Sequence, residues 1–297
     1  MTAGAASIAQ FRGSRGFLPL LLGLAFLVLG PGKPGAQTPE PVDPNPEKPL
    51  LVAADVGFAP FAMRQADGTL TGFSIDLAAE LARRLGRPGY EISDQRFSGI
   101  FAGLAAKRYE FVVAATVVTE ERAGQMLFSE PYMTTGLGVL VWAGEAEMNG
   151  PDALKGKTVA ALKGGQGDTW ASENGPKLGF QIVRFDRTED VVGAVLSTQA
   201  AAAILDLPRA LYAAQQEKRI RVGLTMAADR VYALAFRHDD VAFRNKVDLI
   251  LESMKKDGAL AVIYEKWFGM KPPPGSASVE IFPGYGTPGF PGYVPQK

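Results

Sequence analysis

A basic residue stands in an unusual place near the middle of the chain. Residues 119–122 read Thr-Glu-Glu-Arg and follow an apolar run that begins at Phe111. Thr119 is a typical N-cap residue, and Glu120 and Glu121 suit a first helical turn, where the helix dipole favours anions. Arg122 lies in that same turn against the dipole, but beside free backbone N–H groups it could complete a pocket for an anion. The alternative is an ordinary surface arginine that pairs with Glu120 or with a distant acid.

Other candidate residues also follow apolar runs. Asp55 comes directly after residues 50–54, and Asp206 comes directly after residues 201–205. Residues 163–169 read Lys-Gly-Gly-Gln-Gly-Asp-Thr and can present backbone N–H groups to an anion, although they lack the endings and spacings of phosphate-binding loops. From the residues alone, a turn cap for Asp55, a helix N-cap for Asp206 and a tight turn for the loop stay open.

The composition excludes several kinds of chemistry. The 297 residues include no cysteine, which excludes disulfides, thiolate zinc sites and a cysteine nucleophile. The only histidine, His238, precedes two aspartates and fits a solvated surface position, which removes nearly every histidine-based metal site or triad. Basic and acidic residues number 31 each, so there is no net field to attract nucleic acid or an anionic membrane. We therefore predict no metal, no cofactor and no nucleic-acid partner.

The elements that position these residues follow an α/β pattern. Apolar runs alternate with amphipathic segments, which predicts parallel sheets with ligands at the carboxyl ends of the strands. The candidate residues all lie at such ends. The predicted strands are residues 50–54, 111–115, 138–142, 158–162, 201–205 and 232–236.

Both ends of the chain differ from its body. Residues 1–37 carry two arginines before the apolar run 17–29, which predicts a signal peptide for export, with an uncleaved anchor as the alternative. Residues 38–49 contain five prolines and predict an extended linker. Residues 271–297 contain seven prolines and five glycines, which predicts a mobile, disordered tail.

Several motifs occur in register between residues 50 and 269. They are Gly57-Phe-Ala-Pro-Phe61, Asp67-Gly-Thr-Leu-Thr-Gly-Phe-Ser-Ile-Asp-Leu77, the 119–122 turn, Phe128-Ser-Glu-Pro-Tyr132, Leu154-Lys-Gly-Lys157 and the segment 264–268. Together they resemble the periplasmic amino-acid-binding proteins of bacterial ABC transporters, family 3 of the solute-binding proteins. The resemblance implies a type II periplasmic-binding-protein fold. Its two α/β lobes, each a mainly parallel sheet flanked by helices, would be joined by two crossing hinge segments.

The resemblance also implies lobe boundaries and a clamp for an amino acid. Lobe 1 would comprise residues 48–137 and 229–270, and lobe 2 residues 138–228, with crossings near residues 135–141 and 225–232. Arg122 would take the α-carboxylate, with the backbone N–H groups of Val117 and Gln166 beside it. Asp206 would receive the α-ammonium, helped by the carbonyl of Ala115.

The side chain of the ligand would meet a second set of residues. By the same resemblance, Phe58 and Phe97 would sandwich that side chain and Asp55 would read it, although on residue type alone both aromatics fit a core. Val117 and Gly165 stand where relatives commonly carry a hydroxyl. We therefore expect one or two side-chain hydrogen bonds to the ligand, each worth about 1 kcal/mol, to be missing.

Three functions stay open at this stage. The first is a monomeric, non-enzymatic periplasmic receptor that delivers an amino acid to an ABC permease. The second is a periplasmic enzyme on the same scaffold, similar to cyclohexadienyl dehydratase, in which Glu173 or Asp168 would be the general acid. The third is a ligand-sensing or partner-binding module, which the missing hydroxyls and the unusual tail suggest.

Overall fold

The computed structural model describes residues 39–295, which contain thirteen β-strands and eight α-helices. The strands are β1 (Leu50–Ala54), β2 (Met63–Arg64), β3 (Leu70–Thr71), β4 (Tyr90–Asp94), β5 (Phe111–Val117), β6 (Leu127–Phe128), β7 (Met133–Trp142), β8 (Thr158–Leu162), β9 (Gln181–Phe185), β10 (Ala202–Asp206), β11 (Ile220–Phe236), β12 (Gly284–Tyr285) and β13 (Val294–Pro295). The helices are α1 (Phe73–Leu85), α2 (Phe97–Ala105), α3 (Glu120–Ala123), α4 (Gln166–Leu178), α5 (Thr188–Leu196), α6 (Leu207–Gln216), α7 (Val241–Lys256) and α8 (Ala259–Phe268). The α/β class predicted from the alternation is confirmed. The predicted signal peptide lies outside the described residues.

The main sheet has two parallel groups of strands separated by an antiparallel pair. Its order is β4-β1-β5-β11-β7-β10-β8-β9, and β6 also pairs with β11. Strand β1 runs parallel to β4 and β5, and β8 runs parallel to β9 and β10. Strands β7 and β11 run antiparallel to each other and to their neighbours β10 and β5. The apolar sequence of β5 suits this central position, where nearly every side chain is buried.

The apolar core is divided between the two parallel groups. Two clusters of buried residues, one on each face of the sheet, draw on residues 50–133 and 232–268. Two other clusters draw on residues 137–226. No buried residue is shared between the two sets, so each parallel group has its own core. We call the first half lobe 1 and the second half lobe 2, and the fold is consistent with the two-lobed arrangement.

Strands β7 and β11 connect the lobes and are longer than predicted. Strand β11 spans 17 residues, and its pairing with β7 shifts register between Met226 and Arg230. The sequence predicted only residues 138–142 and 232–236 as strands, because the polar residues Thr134, Thr135 and Arg230 interrupt the apolar pattern there. The hinge role of these crossings stays a prediction.

The C-terminal segment differs from the mobile tail that its composition predicted. Strands β12 and β13 form a short antiparallel pair, and Ser276, Ala277, Ser278 and Thr287 are buried. The hydroxyl of Thr287 donates a hydrogen bond to the carbonyl of Ser129 at 2.8 Å. Segments rich in proline and glycine bury little apolar surface, but this one uses its backbone and hydroxyl groups to satisfy polar groups of lobe 1.

The proline-rich segment before β1 has neither helix nor strand but is also attached to lobe 1. Asp43 accepts hydrogen bonds from the buried guanidinium of Arg87, with Arg87 Nε 2.7 Å from Asp43 Oδ2. Arg87 also donates to Glu110 at 2.8 Å. Within the described residues, none of the helices is both long and apolar enough to span a bilayer.

Candidate functional site

A cavity of about 350 Å³ lies between the lobes. It lies where the loops after β1, β5, β8 and β10 meet, as expected for the carboxyl ends of parallel strands. All nine predicted site residues line this cavity: Asp55, Phe58, Phe97, Ala115, Val117, Arg122, Gly165, Gln166 and Asp206. The structure therefore brings together every residue of the predicted set, while the role of each stays a proposal.

Arg122 is held in place by groups that leave part of its guanidinium free. Helix α3 begins after Thr119, whose hydroxyl oxygen accepts a hydrogen bond from the Arg122 N–H at 3.3 Å, so Thr119 is the predicted N-cap. Arg122 Nη1 donates to the carbonyl of Val117 at 2.8 Å, and Cζ lies 5.5 Å and 5.6 Å from the rings of Phe97 and Phe101. Burial lowers the pKa of Arg122. No carboxylate in residues 39–295 forms an ion pair with it, so the surface ion pair considered above is absent from the described structure.

The glycine-rich loop leads directly into the N-terminus of a helix. Gly165 is the N-cap of α4, so the first N–H groups of a 13-residue helix border the cavity. A side chain on Gly167 would lie 2.3 Å from the carbonyl oxygen of Ile204, which explains why glycine is needed where α4 crosses β10. The amide oxygen of Gln166 accepts a hydrogen bond from Arg230 Nη1 at 2.5 Å.

Asp206 lies at the end of β10 and occupies the N-cap position of α6, but its side chain makes no capping hydrogen bond. Its Oδ1 atom is buried and has no hydrogen-bond partner among the described residues. Burial raises the pKa of Asp206, and the positive charges of Arg209 and Arg230 oppose that shift. A buried carboxylate oxygen without a donor is costly, so this geometry favours recognition of a cation over helix capping.

Three residues line the cavity and also contact other parts of lobe 1: Phe58, Phe97 and Asp55. Both aromatic rings are partly buried and pack against the lobe 1 core while they line the cavity. Asp55 Oδ2 accepts a hydrogen bond from the N–H of Phe97 at 3.2 Å, at the start of α2, so one of its oxygens serves as a cap. Burial raises the pKa of Asp55.

Arg209 and Tyr232 line the cavity but were not among the predicted site residues. Arg209 lies one turn after Asp206, and its Cζ is 4.1 Å from the ring centroid of Phe58 on the opposite lobe. The spacing of three residues after Asp206 was the available sequence signal, since residues i and i+3 share a helix face. Tyr232 is fully buried, and burial raises the pKa of its hydroxyl well above the usual value.

The two residues considered as general acids lie elsewhere. Neither Glu173 nor Asp168 lines the cavity, and Glu173 is exposed on α4. Asp168 accepts hydrogen bonds from the N–H of Gly164 at 3.0 Å and from Arg184 Nε at 2.7 Å. Burial alone would raise the pKa of Asp168, but these donors hold it below its usual value, which does not suit a general acid near neutral pH.

Comparison with known proteins agrees with this geometry. Residues 50–270 match the family described as bacterial extracellular solute-binding proteins, family 3. The L-cystine-binding protein TcyJ of Escherichia coli (strain K12) is 29% identical over 227 residues, which are 74% of this chain and 82% of that protein. A probable amino-acid ABC transporter-binding protein of Haemophilus influenzae is 28% identical over 226 residues, covering 75% of this chain and 85% of that protein.

A solved structure shares the same architecture. It is the crystal structure of an ancestral amino acid-binding protein described as a precursor of cyclohexadienyl dehydratase. It has 32% sequence identity and a TM-score of 0.63, and the match covers 74% of this chain and 94% of that protein.

Proposed function

Because this chain belongs to the bacterial extracellular solute-binding proteins of family 3, we propose that it is an exported receptor that binds a free amino acid between its lobes. One observation carries the proposal. Arg122 from lobe 1 and Asp206 from lobe 2 line a single cavity, and neither is ion-paired within the part of the chain that the structure describes. A cation and an anion held apart in one cavity are complementary to a zwitterion.

Each charge suits one end of the α-amino acid group. The guanidinium of Arg122 has five N–H donors in a planar fork, of which the carbonyl of Val117 uses one, so a bidentate contact with a carboxylate is available. The unpartnered oxygen of Asp206 would accept a hydrogen bond from the ammonium group. Because the two residues belong to different lobes, a ligand that contacts both would stabilise the closed arrangement over an open one.

The bound amino acid would then be passed to a membrane permease. This step rests on the relative from Haemophilus influenzae, which is described as an ABC transporter-binding protein. We place the receptor in the periplasm and expect it to act as a monomer. The enzyme alternative gains no support from Glu173 or Asp168, because both lie outside the cavity.

Calorimetric titration of ligand-free protein with the standard amino acids and with cystine tests the proposal. At least one zwitterion should bind, and Arg122→Ala should weaken that binding by about 30-fold or more, since truncating one partner of a buried charge pair costs about 2 kcal/mol or more. Arg122→Lys should restore little, because a lysine cannot make the bidentate contact.

The control variant is Arg219→Ala, since Arg219 is exposed, pairs with Glu217 and does not line the cavity. Its binding should match that of the unmodified protein. A protein that binds neither these amino acids nor diaminopimelate would disprove the proposed function, and so would full binding by Arg122→Ala.

A further inference from the structure

One buried cation in the cavity is attracted by Asp206 but makes no ion pair or hydrogen bond within the described residues. Arg209 has 7% of its surface exposed, and its Nε atom is buried without a hydrogen-bond partner. Among residues 39–295, no carboxylate forms an ion pair with its guanidinium and no carbonyl accepts a hydrogen bond from it. The ring of Phe58 lies against it at 4.1 Å. A stacking contact of this kind does not replace the hydrogen bonds that a buried guanidinium loses on leaving water.

Asp55 brings a negative charge to the same end of the cavity. Its Oδ2 atom accepts the hydrogen bond from Phe97, while Oδ1 has no hydrogen bond to the described residues. Asp55 and Arg209 are close enough for attraction to lower the pKa of Asp55 against the effect of burial, but they are not an ion pair. Both therefore keep hydrogen-bonding capacity for another molecule.

Asp55 and Arg209 also border a second space. A second hollow of about 370 Å³ adjoins the cavity, and Asp55, Phe58, Leu162 and Arg209 line both. Each of the two spaces falls in the size range of small-molecule sites, about 300–1,000 Å³. Asp55 and Arg209 therefore line the boundary between the two spaces, and both also face the cavity that contains Arg122.

The charges that line the cavity restrict what this extension can carry. The cavity lining includes two arginines and two aspartates, so its formal charge is zero. The adjoining hollow adds Asp186, Arg187 and Glu189, which are exposed to solvent, and Arg187 lies 3.5 Å from Glu189, so water screens these charges and they weigh less than those of the cavity. One zwitterionic head uses Arg122 and Asp206 and leaves one charge of each sign. A purely cationic side chain would face Arg209, a purely acidic one would face Asp55, and an apolar one would leave both charges desolvated. A side chain that ends in its own ammonium and carboxylate complements both.

We propose that Asp55 and Arg209 form a second charged subsite and that the ligand is a diamino dicarboxylic acid. One amino-acid head lies at Arg122 and Asp206. The carboxylate of the other head pairs with Arg209, and its ammonium pairs with Asp55. This inference rests on the proposed function, because it assumes the first clamp.

A matched series of four ligands tests the second subsite by calorimetry. Diaminopimelate carries both distal charges, lysine lacks the distal carboxylate, α-aminopimelate lacks the distal ammonium, and norleucine lacks both. Diaminopimelate should bind at least about 10-fold more tightly than each of the other three, because each distal group adds a charge-assisted hydrogen bond. Cystine against S-methylcysteine repeats the test with a disulfide linker, and a preference for either two-headed compound supports the proposal.

Two variants test which residue contacts the distal carboxylate and which contacts the distal ammonium of the ligand. Arg209→Gln should reduce the preference for diaminopimelate over lysine, and Asp55→Asn should reduce the preference over α-aminopimelate, each by about 10-fold. The two variants give independent readings if one of them folds poorly. Arg219→Gln, at an exposed site outside the cavity, should leave all preferences unchanged.

The outcomes separate the two proposals. If norleucine or lysine binds and neither two-headed compound binds more tightly, the second subsite is wrong and the receptor function stands. If Arg209→Gln and Asp55→Asn leave the preference intact, the assignment of the subsite is wrong. If none of these compounds and no standard amino acid binds, the receptor function itself is wrong.

Discussion

Two regions of the molecule bury charged side chains. In one region the chain supplies partners for these charges, and in the other it leaves several of them without partners. Beneath the C-terminal segment, Lys255 Nζ lies 2.5 Å from Glu130 Oε1 and 2.8 Å from the carbonyl of Pro131. Asp248 accepts hydrogen bonds from the N–H groups of Glu130 at 2.8 Å and of Gly286 at 2.7 Å, and it lies 3.6 Å from Arg244. These charges are saturated by the chain itself.

The charges in the cleft are not saturated, although Arg209 is as deeply buried as Lys255, with 7% of the surface exposed in each. Asp206 Oδ1 and Arg209 Nε have no hydrogen-bond partner among residues 39–295. Arg122 donates one hydrogen bond, to the carbonyl of Val117, and contacts the rings of Phe97 and Phe101. The difference indicates a division of roles. Where the chain supplies partners, they offset the cost of burying the charges and the loss of one partner is destabilising, whereas charges that it leaves unsatisfied are available to a ligand at a cost in stability.

The largest expected effect is on the free energy of unfolding, when one cation in each region is replaced by methionine. Lys255→Met should lower the free energy of unfolding by about 3–5 kcal/mol, because it leaves the carboxylate of Glu130 buried without its partner. Arg209→Met should lower the free energy of unfolding by no more than about 1 kcal/mol, because Arg209 makes no ion pair or hydrogen bond within the described residues and only its attraction to Asp206 and its contact with Phe58 are lost. Chemical denaturation of the ligand-free proteins measures both. Equal destabilisation by the two substitutions would remove the distinction between the regions.

A smaller effect is expected from deleting residues 271–297. The deletion removes the N–H of Gly286 from Asp248 and the N–H of Phe282 from Glu130, two hydrogen bonds to buried carboxylates. We expect the free energy of unfolding to fall by about 2 kcal/mol or more. Ligand affinity should change little, because none of these residues lines the cavity. Unchanged stability after the deletion would instead support the mobile tail that the composition predicted.

The smallest effect is a pH dependence of ligand affinity, which the raised pKa of Asp206 predicts. Burial raises the pKa of Asp206 above its ordinary value of 3.8, and the ammonium of the ligand pairs with the ionised form. Affinity should therefore be full above that raised pKa and should fall as the pH decreases through it, by up to about tenfold per pH unit.

Titration calorimetry at a series of pH values measures this dependence, and Asp206→Asn should bind more weakly with a flatter profile. A decline in affinity that starts only near pH 3.8, where an ordinary aspartate titrates, would argue against a carboxylate whose pKa is raised by burial.

Much of the fold could be predicted because its signals are local. Strands β1 and β8 have the predicted bounds, since a short apolar run between turn residues is a strong pattern. The edge strands β4 and β9 were not predicted, because most of their side chains are exposed or half-buried and the pattern is weak. The length of β11 could not be predicted either, because pairing with β7, and not local apolarity, keeps it extended.

The sequence by itself determined where the cleft lies and part of its lining. Strands that alternate with helices place the carboxyl ends of β1, β5, β8 and β10 at one edge, and the nine residues that the family resemblance implies as ligand-binding all line the cavity there, while their contacts with a ligand stay a prediction. It did not select Arg209, because the spacing of three residues after Asp206 indicates a shared helix face but does not show that the cation will be buried without an ion pair.

Only the tertiary structure decided which buried charges are satisfied. Lys255 meets Glu130 across a sequence separation of 125 residues, and Gly286 meets Asp248 across 38. Arg209 and Asp206 meet no such partner within the described residues. Whether a charge is paired depends on contacts between segments that are distant along the chain, and these are fixed by packing, not by local pattern.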